Sequence, residues 1–99
     1  MITAEVTPKD SKTTEAALAL QNMGFEVLHI GQSITIKGEQ SLFEETFSVK
    51  LVKKSRDVMP DLLKNTKTEF FESQNRPIIP EGLKSLMEDI VFPEPANLF

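Results

Sequence analysis

The sequence predicts an α+β fold: a four-stranded antiparallel sheet with two helices on one face, then a short C-terminal helix and an extended tail. Three observations carry this. Apolar residues alternate with a period of two in four short segments, and they recur at helical spacing in two others. The segments follow one another as β-α-β-β-α-β, the ferredoxin-like split-βαβ order. The chain of 99 residues, 39% of them apolar, suffices for one such domain around one core.

The first strand is "ITAEV", with Ile2, Ala4 and Val6 on one side and Thr3 and Glu5 on the other. Pro8 ends it. "KDSKTTEAALALQNMG" then predicts a helix of about four turns, with Asp10 or Ser11 at its N-cap and Gly24 just past its end. Ala16, Leu20 and Met23 make its apolar stripe, with Ala17 beside them. "FEVLHI" and "SITIKG" are the next two strands, joined through "GQ", a pairing that suits a type II′ turn. Ser41-Leu42-Phe43-Glu44 matches a capping box, so a short helix is expected there with Phe43 and Phe47 on one face. "FSVKLVKK" predicts the fourth strand, turning Phe47, Val49 and Leu51 inward and Ser48, Lys50 and Lys54 outward.

Residues 1–54 therefore form the expected core of a single domain, 1–99. Residues 55–68 read as a connection with a helical turn at Pro60–Lys64. Residues 69–99 carry an edge strand, "EFFES", and a helix opened by Pro80 with Leu83, Met87 and Ile90 at helical spacing. Pro93 and Pro95 stop that helix and hold the tail extended.

The composition narrows the function. A net charge of −4 disfavours polyanion binding by bulk electrostatics, and the absence of cysteine excludes disulfides and thiolate metal sites. No apolar run approaches the roughly 18 residues of a membrane span. The N-terminus lacks a basic flank followed by an apolar run, so the expected compartment is the cytoplasm as written, or the exterior if the chain is part of a longer precursor. Lys50, Lys53, Lys54 and Arg56 form a basic cluster. An RNA-binding module of this topology needs aromatics on its central strands, and "ITAEV" and "SITIKG" offer none. The cluster reads as a solvated strand end that discourages edge pairing. His29 stands alone and reads as a strand residue. The carboxylates at Glu44-Glu45, Glu69, Glu72 and Glu88-Asp89 fall on surfaces or near element ends, and no glycine-rich phosphate loop is present. The chain is expected to work without catalysis, cofactor or metal.

"LQNMGFEVLHIGQSITIKGEQSLFEETFSVKL" resembles the pro-domain of sedolisin (kumamolisin-type) and subtilisin-type serine peptidases. There a glycine-terminated helix leads into an apolar strand, an alternating strand ending in Gly, a short helix with a Phe, and an F-x-V strand. Those features fall on Leu20, Gly24, Phe25, Val27, Ile34, Ile36, Gly38, Phe43, Phe47, Val49 and Leu51. "TEFFESQNRPIIPEGLKSLMEDIVF" is similar to the end of sedolisin pro-domains, so the resemblance spans roughly residues 15–93. It implies a partner, a subtilisin- or sedolisin-type catalytic domain bound in cis or in trans, and a role as intramolecular chaperone and inhibitor.

The resemblance also implies two contacts. The sheet docks on the peptidase, and the C-terminal segment lies in the cleft like a product, through Pro93, Pro95, Leu98 and Phe99. Main-chain pairing supplies affinity there, Leu98 and Phe99 fill pockets, and the prolines limit the entropy lost on binding. For the docking surface, strand alternation points Leu28, Ile30 and Val52 away from the helices, among Thr3, Glu5, Thr35, Lys37 and Lys50. An apolar centre with a polar rim is the expected character; the competing expectation is a register slip or bulge that buries Leu28 and Ile30, or cover by the C-terminal helix. The alternative is a structural or regulatory module that forms a homodimer through its sheet with no peptidase partner. Neither reading involves nucleic acid or membrane.

Overall fold

A computed structural model describes residues 1–57 and 67–93. The elements are β1 (Ile2–Pro8), α1 (Thr13–Asn22), β2 (Glu26–Ile30), β3 (Ile34–Gly38), α2 (Gln40–Phe47), β4 (Leu51–Asp57), β5 (Lys67–Ser73) and β6 (Met87–Val91), with one 3-10 turn at Glu81–Leu83. The main sheet is antiparallel in the order β2-β3-β1-β6, and β4 and β5 form a separate two-stranded ribbon. This is the ferredoxin-like split-βαβ order with a ribbon inserted between α2 and the closing strand.

The core lies between the sheet and the helices. Ile2, Ala4 and Val6 of β1 and Ile34 and Ile36 of β3 are buried with Ala16, Ala17 and Leu20 of α1 and Phe43 and Phe47 of α2. Phe25 stacks obliquely on Phe43 with ring centroids 4.8 Å apart, and Phe92 meets Phe43 edge-on at 5.4 Å. A fully buried Phe contributes about 1.5–3 kcal/mol through its area, and an aromatic pair adds about 0.5–1.5 kcal/mol. Among the described residues the core holds no buried polar side chain. A ring without a hydroxyl or an indole N–H suits such a place.

Local chemistry sets the helix ends. At the end of α1 the Phe25 N–H donates to the Leu20 carbonyl (3.2 Å) and the Gly24 N–H to that of Gln21 (3.1 Å). With Gly24 at φ +108°, this is a Schellman closure, which favours glycine. The start of α1 differs from expectation. Lys12 precedes it without a side-chain cap, neither Asp10 nor Ser11 caps, and the helix runs ten residues, about three turns. The link from β2 to β3 is Gly31 to Ser33, closed by the Gly31 N–H on the Ser33 carbonyl (2.9 Å). Gly31 lacks the positive φ of a type II′ turn, so that expected turn does not form.

Three further expectations are corrected. Residues 80–90 do not form a helix: the 3-10 turn buries Leu83, and Met87–Val91 is the fourth strand of the sheet. Met87 and Ile90 both enter the core because the β1–β6 ladder shifts register between Thr7 and Pro8. One extra residue on β6 turns a period of two into a spacing of three, which imitates a helix.

The strand expected over 47–54 also divides. Phe47 closes α2, Val49 is buried in the link that follows, and β4 pairs with β5 instead of entering the main sheet. Ser48 sits in the left-handed region (φ 48°) and redirects the chain there. Finally, "EFFES" is a strand, but it belongs to the ribbon and not to the edge of the main sheet. The expected turn at Pro60–Lys64 lies outside the described residues.

The base of the ribbon is held by side chains. Glu44 Oε2 accepts the Leu51 N–H at 2.8 Å, and Gln40 Nε2 donates to the Leu51 carbonyl at 3.0 Å. Asn75 bridges the opposite side: its Oδ1 accepts the Lys50 N–H (2.8 Å) and its Nδ2 donates to the Ser48 carbonyl (2.9 Å). Glu44 thus serves the ribbon rather than a capping box, since α2 starts at Gln40 with Glu39 ahead of it and no side-chain cap.

Candidate docking face of the sheet

The helices cover one face of the main sheet, and the register states what occupies the other. His29, Thr35, Glu5 and Val91 lie opposite one another across β2, β3, β1 and β6. Glu26, Lys37 and Thr3 form a parallel row on β2, β3 and β1, and Thr7 faces Asp89 across β1 and β6.

Glu5 is the centre of this face. It is half-buried, and it accepts the Ser33 hydroxyl on Oε1 (2.7 Å) and the Thr35 hydroxyl on Oε2 (2.8 Å). Each carboxylate oxygen therefore has one fixed donor, which orients the anion while leaving acceptor capacity toward solvent. Carboxylates at Glu5, Glu26 and Asp89 outnumber the single lysine, Lys37. The face is polar at its centre with apolar side chains at its margins, the reverse of the expected pattern. Val91 is 51% exposed at one side and Leu28 is 48% exposed at the other.

Of the residues expected on this surface, Thr35 and Lys37 stand on it and Leu28 lies at its margin. A bulge separates Val27 from His29 in the β2–β3 ladder, so Leu28 is the extra residue and His29 takes the place opposite Thr35. Beyond the bulge Ile30 faces Ile34, a core residue, and so returns to the helix side at the end of its strand, 51% exposed. Lys50 and Val52 are not on the sheet. Lys50 lies at the foot of the ribbon and Val52 pairs with Glu72 in it.

Pro93 is exposed where the chain leaves β6. It borders a groove of about 370 Å³ between Met1–Thr3, Phe92 and the Glu69–Phe71 stretch of β5. Pro95, Leu98 and Phe99 lie outside the described residues.

Sequence reasoning set Glu5 on the polar rim of this surface but missed its hydroxyl partners, and it missed Asn75. Alternation placed Glu5 on the outward side of its strand, but its hydroxyl partners lie 28 and 30 residues away and depend on strand pairing. The open sides of β1 and β3 carry no aromatic ring, whereas Phe25, Phe43, Phe47 and Phe92 cluster on the core side. Among the described residues no group of three His, Cys, Asp or Glu side chains is placed to hold a metal ion. Lys53 pairs with Glu69 across the ribbon, so part of the basic cluster is neutralised within its own hairpin.

Among the described residues one titrating group is perturbed. The Leu51 N–H, then the Gln40 amide, hold the Glu44 carboxyl below its ordinary value of about 4.5; loss of solvent opposes them and Lys50 assists.

Comparison with protein-family models, curated proteins and solved structures finds none that matches this chain.

Proposed function

We propose that this chain is a pro-domain-like module that binds a subtilisin- or sedolisin-type serine peptidase domain, assisting its folding and inhibiting it by binding alone. One observation carries the reading. Among the described residues nothing covers the outer face of the sheet, and its closing strand β6 borders that face and leads into the C-terminal segment. A single approach by the partner can then meet both the face and the segment beyond Pro93. The resemblance of residues 15–93 to such pro-domains adds the identity of the partner.

Association with the folded peptidase stabilises it by mass action, and occupation of its cleft inhibits it. An interface of this kind buries about 800 Å² on each side. The test is inhibition of a subtilisin-type and a sedolisin-type peptidase by the purified chain, with sedimentation of the mixture. Inhibition with a one-to-one complex supports the reading. A homodimer that ignores both peptidases sinks it in favour of a structural or regulatory module.

A further inference from the structure

A sheet edge presents unpaired N–H and C=O groups, and soluble proteins close such edges to prevent pairing between copies. The main sheet ends at β2 on one side and β6 on the other. The β2 edge is broken by the bulge at Leu28. β6 holds no proline, and its edge is closed differently.

Ile90 faces Val6 across the β1–β6 ladder, yet its N–H donates to Asp89 Oδ1 at 2.8 Å. In an antiparallel pair, residues that exchange both main-chain bonds alternate with residues whose N–H and C=O point to the far side. A bond to its own neighbour's carboxylate marks Ile90 as the second kind. Its backbone groups therefore face the outer edge of β6, which pairs with no strand among the described residues.

Two copies of β6 related by a two-fold axis through Ile90 would exchange those N–H and C=O groups as their central bonded pair, a self-complementary contact. We propose that the outer edge of β6 is a pairing surface for a second copy of this chain, held closed because the Asp89 carboxylate occupies the Ile90 N–H. The device leaves the open face as the surface available to a different partner, but its test requires no peptidase.

The experiment compares wild type, Asp89→Ala and Asp89→Asn by sedimentation across a wide concentration range, with hydrogen exchange at the Ile90 amide. The wild type is expected to be a monomer whose Ile90 amide exchanges slowly. Asp89→Ala should raise the self-association constant by about tenfold or more, as expected for a freed hydrogen bond with a charged partner. Its Ile90 amide should exchange faster in dilute solution and slow again as dimer forms. Asp89→Asn keeps an acceptor oxygen and should stay near wild type.

A folded Asp89→Ala as monomeric as wild type would overturn the proposal. So would equal association of the Asn variant, which would assign the closure to charge alone, or a wild-type dimer paired through β6. Should Asp89→Ala fail to fold, the wild-type measurement still decides: an Ile90 amide exchanging at an open-chain rate removes the cap.

Discussion

Gly38 closes β3 against the ring of Phe25. A Cβ there would lie 2.9 Å from Phe25 Cδ1 and 3.2 Å from Cε1. Phe25 has little room to retreat, since its ring also lies 4.8 Å from Phe43 and 6.0 Å from Phe47. Gly38→Ala should therefore destabilise the chain by about 1–3 kcal/mol, the usual cost of overpacking, as read from urea unfolding. Gly82 has open space around its Cα, so Gly82→Ala is the control, expected within about 0.5 kcal/mol of wild type. The sequence announces a glycine at a strand end; that a ring presses on it is visible only once Phe25 is packed.

Glu44 supplies a residue-level prediction in pH. Its folded pKa is lowered, chiefly by the Leu51 N–H, so it adds stability above its unfolded value of about 4.5. That stability is lost as pH falls through the lowered folded value. Wild type should thus exceed Glu44→Gln in stability at neutral pH, and the gap should shrink as pH falls below about 4.5. Unfolding midpoints for both proteins over a pH series measure it. A gap independent of pH would mean that the carboxylate does not anchor β4.

Elements were legible where local pattern and tertiary burial agree. In β1, β3 and α2 the inward residues (Ile2, Ala4 and Val6; Ile34 and Ile36; Phe43 and Phe47) are those that sequence periodicity selects. β6 was not legible, because the register shift opposite Pro8 gives Met87 and Ile90 a helical spacing. The ribbon was half legible: both strands have strand-like composition, but no local rule states that they pair with each other or that Glu44 and Asn75 tie down their base. The docking face suffered a one-residue slip of the kind that reverses side-chain direction. The bulge at Leu28 sends His29 to the open side and Ile30 to the other, while Thr35 and Lys37 on the regular β3 stayed where alternation put them.

The ribbon also carries an element-scale prediction. A two-stranded ribbon has marginal stability of its own, and Asn75 ties its base to Ser48 and Lys50. Losing exposed hydrogen bonds of this kind costs about 0.5–1.5 kcal/mol. Asn75→Ala should accelerate amide exchange in β4 and β5 by roughly tenfold while leaving β1 and β3 unchanged. Acceleration spread equally over both sheets would show instead that ribbon and main sheet open as one unit.

Across the whole molecule, face and exit are neighbours. Glu5, the oriented anion of the open face, lies opposite Val91, from which the chain passes through Phe92 and Pro93. On the proposed function the chain would make two separable contacts, a sheet face on the folded peptidase and a segment in its cleft. Truncation after Pro93 removes only the second. It should raise the inhibition constant by about tenfold or more, equivalent to about 1.4 kcal/mol, yet leave assisted refolding of the peptidase in place. Glu5→Lys reverses the charge at the centre of the face, where the Ser33 and Thr35 hydroxyls lose their acceptor. It should weaken inhibition and refolding assistance together, with circular dichroism confirming that the variant is folded. Inhibition unaffected by truncation would eliminate cleft blocking by that segment. If Glu5→Lys changes neither activity, the peptidase does not dock on this face.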